Sequence, residues 1–183
     1  MQMIGLFKAK AEAVGGEVHA FSGKKEALSF ILDFLQQESV AEVNGAKALW
    51  AECPFLQETE KEEISRKVCG VGFKIGREAA ASAKIGISQM DWAIADTGTL
   101  VQNSTAVDQR LVSTLPDIHI AIISARKILP DLATALSRMS PADAAYLTFI
   151  TGPSRTADIE RVLTIGVHGP ERLVIVLVDN LEE

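Results

Sequence analysis

Leu115-Pro116-Asp117-Ile118-His119-Ile120-Ala121-Ile122-Ile123 is the stretch on which the reading of the fold turns. After Pro116 the run from Ile118 to Ile123 is apolar and rich in β-branched residues, as expected of a strand buried on both faces. Leu173 to Val178 is a second such strand. Outward from these, the amino-terminal part alternates helix and strand. Met3 to Val14 has helical spacing and stops at Gly15-Gly16. Glu17 to Phe21 alternates as a short strand. Lys24 to Gln37 places Ala27, Leu28, Ile31, Leu32 and Leu35 on one helical stripe, and a short strand is expected around Val40 to Val43. This alternation predicts an α/β domain, a sheet with covering helices.

The middle of the chain is less periodic. Ala48 to Trp50 is a candidate strand, Pro54 to Leu56 a loop, and Gln57 to Lys67 a charged, solvated helix. Gly70, Gly72 and Gly76 imitate a dinucleotide fingerprint, but the third glycine is misplaced and no convincing strand precedes them. The expectation is a loop leading into a helix from Arg77 to Ala83. Further along, Trp92 to Ala95 and Thr99 to Gln102 form strands around a turn at Asp96-Thr97-Gly98. Pro130 to Met139 and Asp158 to Leu163 are expected helices, and Tyr146 to Ile150 an expected strand.

Three polar motifs sit at strand ends. In the first, Asp96, Thr97, Gly98 and Thr99 put a carboxylate, hydroxyls and a residue tolerant of positive φ at a tight turn. The turn either caps itself or presents a polar rim to a ligand. The second, Gly152-Pro153-Ser154-Arg155-Thr156-Ala157-Asp158, leads from a strand into an expected helix. Ser154 or Thr156 would cap it and Asp158 would complement its dipole. Such a helix start can also hold an anion, with Arg155 clamping a carboxylate. In the third, His168 stands before Gly169 in a loop ahead of a buried strand, where an imidazole either braces the turn or carries a proton. His19 and His119 lie inside strand-like runs and are read as structural.

Composition removes several function classes. One domain spanning 1–183 is expected, with helices and strands over 1–89 and the motifs over 90–183. A chain of this length buries roughly 70% of its unfolded surface and needs no staple. Aromatics make up 5% of residues, so the core must be built mainly from Ala, Val, Ile and Leu. A net charge of −6 without a basic, aromatic-studded patch disfavours nucleic acid. The opening residues lack a basic segment before a long apolar stretch, so no signal peptide is expected. The longest apolar run, Leu173 to Val178, is too short to span a bilayer. A cytoplasmic location is expected. Cys53 and Cys69 belong to no C-x-x-C pair and have no histidine at ligand spacing, so they are read as reduced, inert thiols. An iron–sulfur cluster usually needs four thiolates, so neither a cluster nor another metal site is expected in this chain alone. There is no G-x-S-x-G, H-E-x-x-H or phosphate-binding G-x-x-x-x-G-K-[ST].

Three stretches together resemble the LUD (lactate-utilisation) family, and within it the C subunit of a three-component system. They are Met90-Asp91-Trp92-Ala93-Ile94-Ala95-Asp96-Thr97-Gly98-Thr99-Leu100-Val101, then Leu115-Pro116, then Thr151 to Glu160 continuing to Gly166-Val167-His168-Gly169-Pro170. Order and spacing fit over about residues 90 to 178. The resemblance implies a three-layer α/β/α fold with a mostly parallel sheet, similar to ribose-5-phosphate isomerase and the CoA transferases. It also implies an accessory role in oxidation of L-lactate to pyruvate beside iron–sulfur partner subunits, which would carry the clusters. No catalytic residue is carried over from the family. The alternatives are an enzyme or a sensor acting on a phosphorylated or acyl-CoA metabolite. In the enzyme, Asp96 would be the candidate base; in the sensor, a small carboxylate or phosphorylated ligand would engage Arg155 and His168.

Overall fold

The computed structural model describes residues 2–41, 45, 47–139, 144–156, 164–166 and 168–181. In chain order the elements are α1 (Gln2–Ala13), β1 (Gly16–Gly23), α2 (Lys24–Gln37), β2 (Ala48–Trp50), α3 (Glu58–Lys67), β3 (Val71–Gly72), α4 (Arg77–Ser82), β4 (Ile85–Gln89), β5 (Trp92–Ile94), β6 (Thr99–Asn103), α5 (Val107–Thr114), β7 (Ile118–Ser124), β8 (Ile128–Leu129), α6 (Leu132–Arg138), β9 (Leu147–Ile150), β10 (Arg155–Thr156), β11 (Thr164–Ile165) and β12 (Arg172–Asn180). Six strands form one sheet in the order β1-β12-β7-β4-β2-β3, every neighbouring pair parallel. A smaller sheet, β8-β5-β6-β9, and the hairpin β10-β11 complete the strands.

The two apolar runs become adjacent central strands, with Ile120 opposite Val174 and Ile122 opposite Val176. All seven residues of β7 are buried. Because side chains alternate across a strand, Ile118, Ile120, Ile122, Val174, Val176 and Val178 enter one core layer. There they meet Leu28, Ile31, Leu32 and Leu35 of α2 and Ile64 of α3. Ala121, Ile123, Leu173, Ile175 and Leu177 enter the other, against Phe7 and Ala11 of α1 and Ala93 and Leu100 of the small sheet. The α/β expectation therefore holds: a parallel sheet flanked by helices.

The expected helix over Lys24 to Gln37 and the strands at Ala48 and Ile118 match the structure closely. Several elements went unread. The strand β4 is interrupted by Gly86 and ends in Ser88-Gln89, while α5, with eight residues, and β8, with two, are too short to show a clear period. Val40 forms an isolated bridge rather than a strand, and residues 42–44 lie outside the described residues. The segment from Gly70 to Gly76, expected as a loop into the next helix, carries a two-residue edge strand, Val71–Gly72, before α4. Ser154 does not start a helix, because Arg155–Thr156 is extended and pairs with Thr164–Ile165. The helix expected over 158–163 lies outside the described residues.

Two contacts lock the layers. At Gly86 the backbone of α5 lies directly on β4, where an added Cβ would stand 1.8 Å from the Val112 carbonyl oxygen. No side chain fits there, so glycine permits the helix to settle on the sheet. At the amino ends of the strands, the Arg172 guanidinium donates to both carboxylate oxygens of Glu17, at 2.8 and 2.9 Å, and to Glu38 at 2.8 Å. Glu38 also pairs with Lys84 at 2.6 Å. The group joins β12, β1, the end of α2 and the entry to β4. Hydrogen bonding from Arg172 lowers the Glu17 carboxyl below its ordinary value, and Lys84 followed by Arg172 does the same to Glu38.

Gly86→Ala is expected to destabilise the fold by about 1–3 kcal/mol or more, as overpacking does, read by chemical denaturation at unchanged far-UV circular dichroism. Arg172→Met should cost about 1 kcal/mol, because the ion pair is partly solvated although bidentate. The Glu17 and Glu38 carboxyls are depressed below 4.5 in the fold. Their contribution is therefore complete above that pH and is lost as pH falls through the folded values. Denaturation curves of wild type and variant should accordingly converge in acid; a gap constant from pH 7 to pH 3 would contradict the ion-pair account.

Candidate functional site

The three motif loops meet in a chain of contacts at the amino end of the central strands. Thr99 Oγ1 lies 2.8 Å from Thr97 Oγ1 and 2.8 Å from Thr151 Oγ1, which ties the first motif to the second. Ser154 N–H donates to the Pro170 carbonyl at 2.9 Å and Gly166 N–H to the Ser154 carbonyl at 3.1 Å, which ties the second to the third. Between them opens a cleft of about 210 Å³, lined in part by Thr151, Gly152, Pro153, Ser154, His168 and Gly169. His119, read as structural, stands in its wall.

Other motif residues serve the scaffold. Gly98 (φ 68°) and Gly152 (φ 72°) occupy left-handed turns and press against α1 and the residue that follows it, an added Cβ meeting Ala11 N at 2.3 Å or Val14 O at 2.3 Å. Arg155 donates to the Val14 carbonyl. Asp96 is exposed at the hairpin tip with Thr97, away from the cleft lining, and Thr156 lies in β10. Asp158 lies outside the described residues.

A second cleft, of about 320 Å³, opens at the carboxyl ends of β2, β4 and β7. In open α/β sheets this is the edge where ligands bind, because loops diverge there. Its floor is a hydrogen-bonded amide network. Gln102 Nε2 donates to the Gln89 carbonyl at 3.0 Å and to Gln109 Oε1 at 2.8 Å. Gln109 Nε2 donates to the Glu52 carbonyl at 2.9 Å. Gln89 Oε1 accepts from Phe55 N–H at 2.8 Å. Asp91, Trp92, Lys127 and Ser124 complete the wall.

Ser124 is 2% exposed, and its Oγ has no hydrogen-bond partner among the described residues. A buried hydroxyl without a partner costs about 1–3 kcal/mol, so the fold tolerates at this wall a polar group it does not itself satisfy. Asp91 Oδ2 accepts from Asn103 N–H at 2.6 Å. Its carboxyl is pushed above the ordinary aspartate value by desolvation from the cleft walls, against the pull of the Asn103 N–H and the Lys127 charge. The Lys127 ammonium lies 4.6 Å from the centre of the Trp92 ring. Burial raises the Cys53 thiol, so it remains protonated and unreactive at neutral pH. Both cysteines are free. Among the described residues no cluster of three or more His, Cys, Asp or Glu could hold a metal, and no helix is long and apolar enough to cross a membrane.

The carboxyl-end cleft escaped the sequence reading because its residues are scattered over β2, β4, the β5–β6 hairpin, α5 and the turn after β7. Its one local signal was Gln102-Asn103, paired amides ending an otherwise apolar strand beside the quoted Met90-Asp91-Trp92.

A parallel six-stranded sheet flanked by helices, with a cleft at its carboxyl edge, defines an α/β domain. The sequence pattern of the LUD domain family matches residues 4–178, and the chain belongs to that family. It is 40% identical over 111 residues to lactate utilization protein C of Exiguobacterium sp., covering 57% of this chain and 48% of that protein. With the protein of the same name from Bacillus subtilis it shares 36% over 107 residues, 55% of this chain and 45% of the relative. The matches thus span about half the length of those relatives. A DUF162 family protein from Deinococcus radiodurans superposes with a TM-score of 0.65 at 18% identity, over 97% of this chain and 96% of that one, and so shares the fold.

His119 generates a pH prediction. Its Nε2 lies 2.9 Å from Ser88 Oγ and its Nδ1 is buried without a partner among the described residues; burial lowers its pKa from 6.5 to about 4. The folded state holds it neutral while the unfolded state protonates below 6.5, so stability should fall as pH drops from 6.5 towards 4. His119→Gln should flatten that slope. An imidazole proton resonance titrating near 6.5 in the folded protein would overturn the assignment.

Proposed function

We propose that this chain acts in the oxidation of L-lactate to pyruvate, as an accessory subunit beside iron–sulfur partner proteins that take the electrons. The observation that carries the reading is the 40% identity over 111 residues to a lactate utilization protein C. The resemblance across the motif stretches supports it. Leu132 and Leu136, one turn apart on α6, and Tyr146 and Phe149 nearby in sequence are 42–59% exposed, apolar surface of the kind an assembling subunit presents. Clusters are assigned to the partners, since two free cysteines fall short of the usual four thiolates.

A second reading, an enzyme or sensor working alone on a small metabolite, is favoured by one observation, the unpartnered Ser124 hydroxyl in the wall of the carboxyl-end cleft. The two separate in one experiment. The tagged protein, purified anaerobically from its native cells grown on lactate, should bring down cysteine-rich, iron-containing proteins and support lactate-dependent dye reduction. Recovery of a solitary, iron-free protein would overturn the subunit reading in favour of the second.

A further inference from the structure

We propose that the cleft at the amino ends of β7 and β12, where the motif loops meet, is a binding site for a small uncharged molecule carrying a primary carboxamide on an apolar body. The proposal goes beyond the lactate reading and does not depend on it, because this cleft offers an organic acid no countercharge.

Among the described residues its lining holds no carboxylate, ammonium or guanidinium. Arg155, placed by the sequence to clamp an anion, donates instead to the Val14 carbonyl and is not among the lining residues. Burial holds the His119 ring neutral, with its pKa lowered to about 4, and leaves its Nδ1 without a partner among the described residues. That wall is polar without being charged. An ion entering here would surrender hydration for no opposite charge, which is costly. An uncharged head group trades the hydrogen bonds of water for those of the protein at little net cost.

The hydroxyls of the lining decide which head group fits. Each has a single proton to give. Thr99 gives its own to Thr97 at 2.8 Å, so Thr151 is the donor in its 2.8 Å contact with Thr99. Ser113 donates to the Gln109 carbonyl at 2.9 Å and Thr114 to the Arg110 carbonyl at 2.6 Å. With their protons committed inward, Ser113, Thr114 and Thr151 offer the cleft lone pairs. Ser154 differs. Its backbone N–H and C=O are engaged by Pro170 and Gly166, while its hydroxyl has no partner among the described residues and is available to donate. Gly169 leaves that side chain its place, since a Cβ there would stand 3.1 Å from Ser154 Cβ. A primary carboxamide is complementary to this set, with two N–H donors for lone-pair oxygens and one oxygen for Ser154.

The rest of the wall is apolar, built by Phe149, Ile150, Pro153, Pro170 and Leu173. The volume of about 210 Å³ lies below the roughly 300 Å³ at which pockets begin to enclose drug-sized ligands, so the ligand is small.

Three isosteres test the site on the purified chain: benzamide, benzoate and benzamidinium, uncharged, anionic and cationic on one ring. The carboxylate lacks the N–H donors and the amidinium lacks the acceptor oxygen. Binding is followed by the ring resonances of His119 and Phe149, with the Trp92 indole N–H reporting on the other cleft, at about pH 8, where imidazoles are neutral. Benzamide should move the His119 and Phe149 signals saturably and leave Trp92 in place. Benzoate and benzamidinium should bind about tenfold more weakly or worse, and acetamide, without the apolar body, likewise. Ser154→Ala and Thr114→Val, both on the cleft surface, should each weaken benzamide about three- to tenfold, the loss of one uncharged hydrogen bond, at unchanged circular dichroism. No saturable shift at millimolar benzamide would overturn the proposal. So would either ion binding as tightly as the amide, shifts confined to Trp92, or an affinity indifferent to both substitutions. Assembly with iron proteins is read separately, so either conclusion can fail while the other stands.

Discussion

Everything in this domain hangs on the burial of β7 between β12 and β4. A parallel strand covered on both faces has no solvent to satisfy its backbone, so every N–H and C=O must find a neighbouring strand. β7 meets that demand with in-register partners on both sides, Ile120 facing Val174 on one and Ile87 on the other. Its side chains then divide between the two core layers, and each layer needs its own helices. The covering helices, the close approach of α5 at Gly86 and the small sheet against α1 all follow from keeping that strand dry.

The same strand organises the chemistry. His119 near its start and Ser124 at its end are buried polar residues, and each stands in the wall of a cleft at its own end of the sheet. At the amino end the motif loops close on one another, and several of their conspicuous residues are consumed in the closing. Gly98 and Gly152 make room for α1 and the residue after it, and Arg155 holds the Val14 carbonyl. At the carboxyl end the loops diverge over an amide floor, and among the described residues Ser124 Oγ finds no hydrogen-bond partner.

The legibility of these features in the sequence followed their locality. Runs such as Ile118 to Ile123 and the α2 stripe declare themselves because burial of contiguous residues leaves a period that can be read. β4 hid behind Gly86, Ser88 and Gln89, residues chosen for what packs or bonds against them from elsewhere. The hairpin glycine was readable because positive φ is a local demand. Neither the convergence of the motifs nor the destination of Arg155 could be read, since the contacts are long-range: its partner Val14 lies 141 positions away. The carboxyl-end cleft draws its lining from five separate segments and left almost no trace along the chain.

The position of β12 has a consequence for how the protein is made. The strand formed by residues 172–180 lies between β1 and β7, so residues 16–23 have no strand partner in the main sheet until it is in place. A ribosome delivers those residues after every other described strand. Until then the growing chain carries two apolar edges that fit β12 and would equally accept a strand from another molecule. Completion of the main sheet therefore waits on a segment distant in sequence from β1, and such contacts form slowly. A translational stall short of residue 172 would leave an adhesive intermediate in place of a smaller folded domain, which makes the nascent chain a natural client for chaperones.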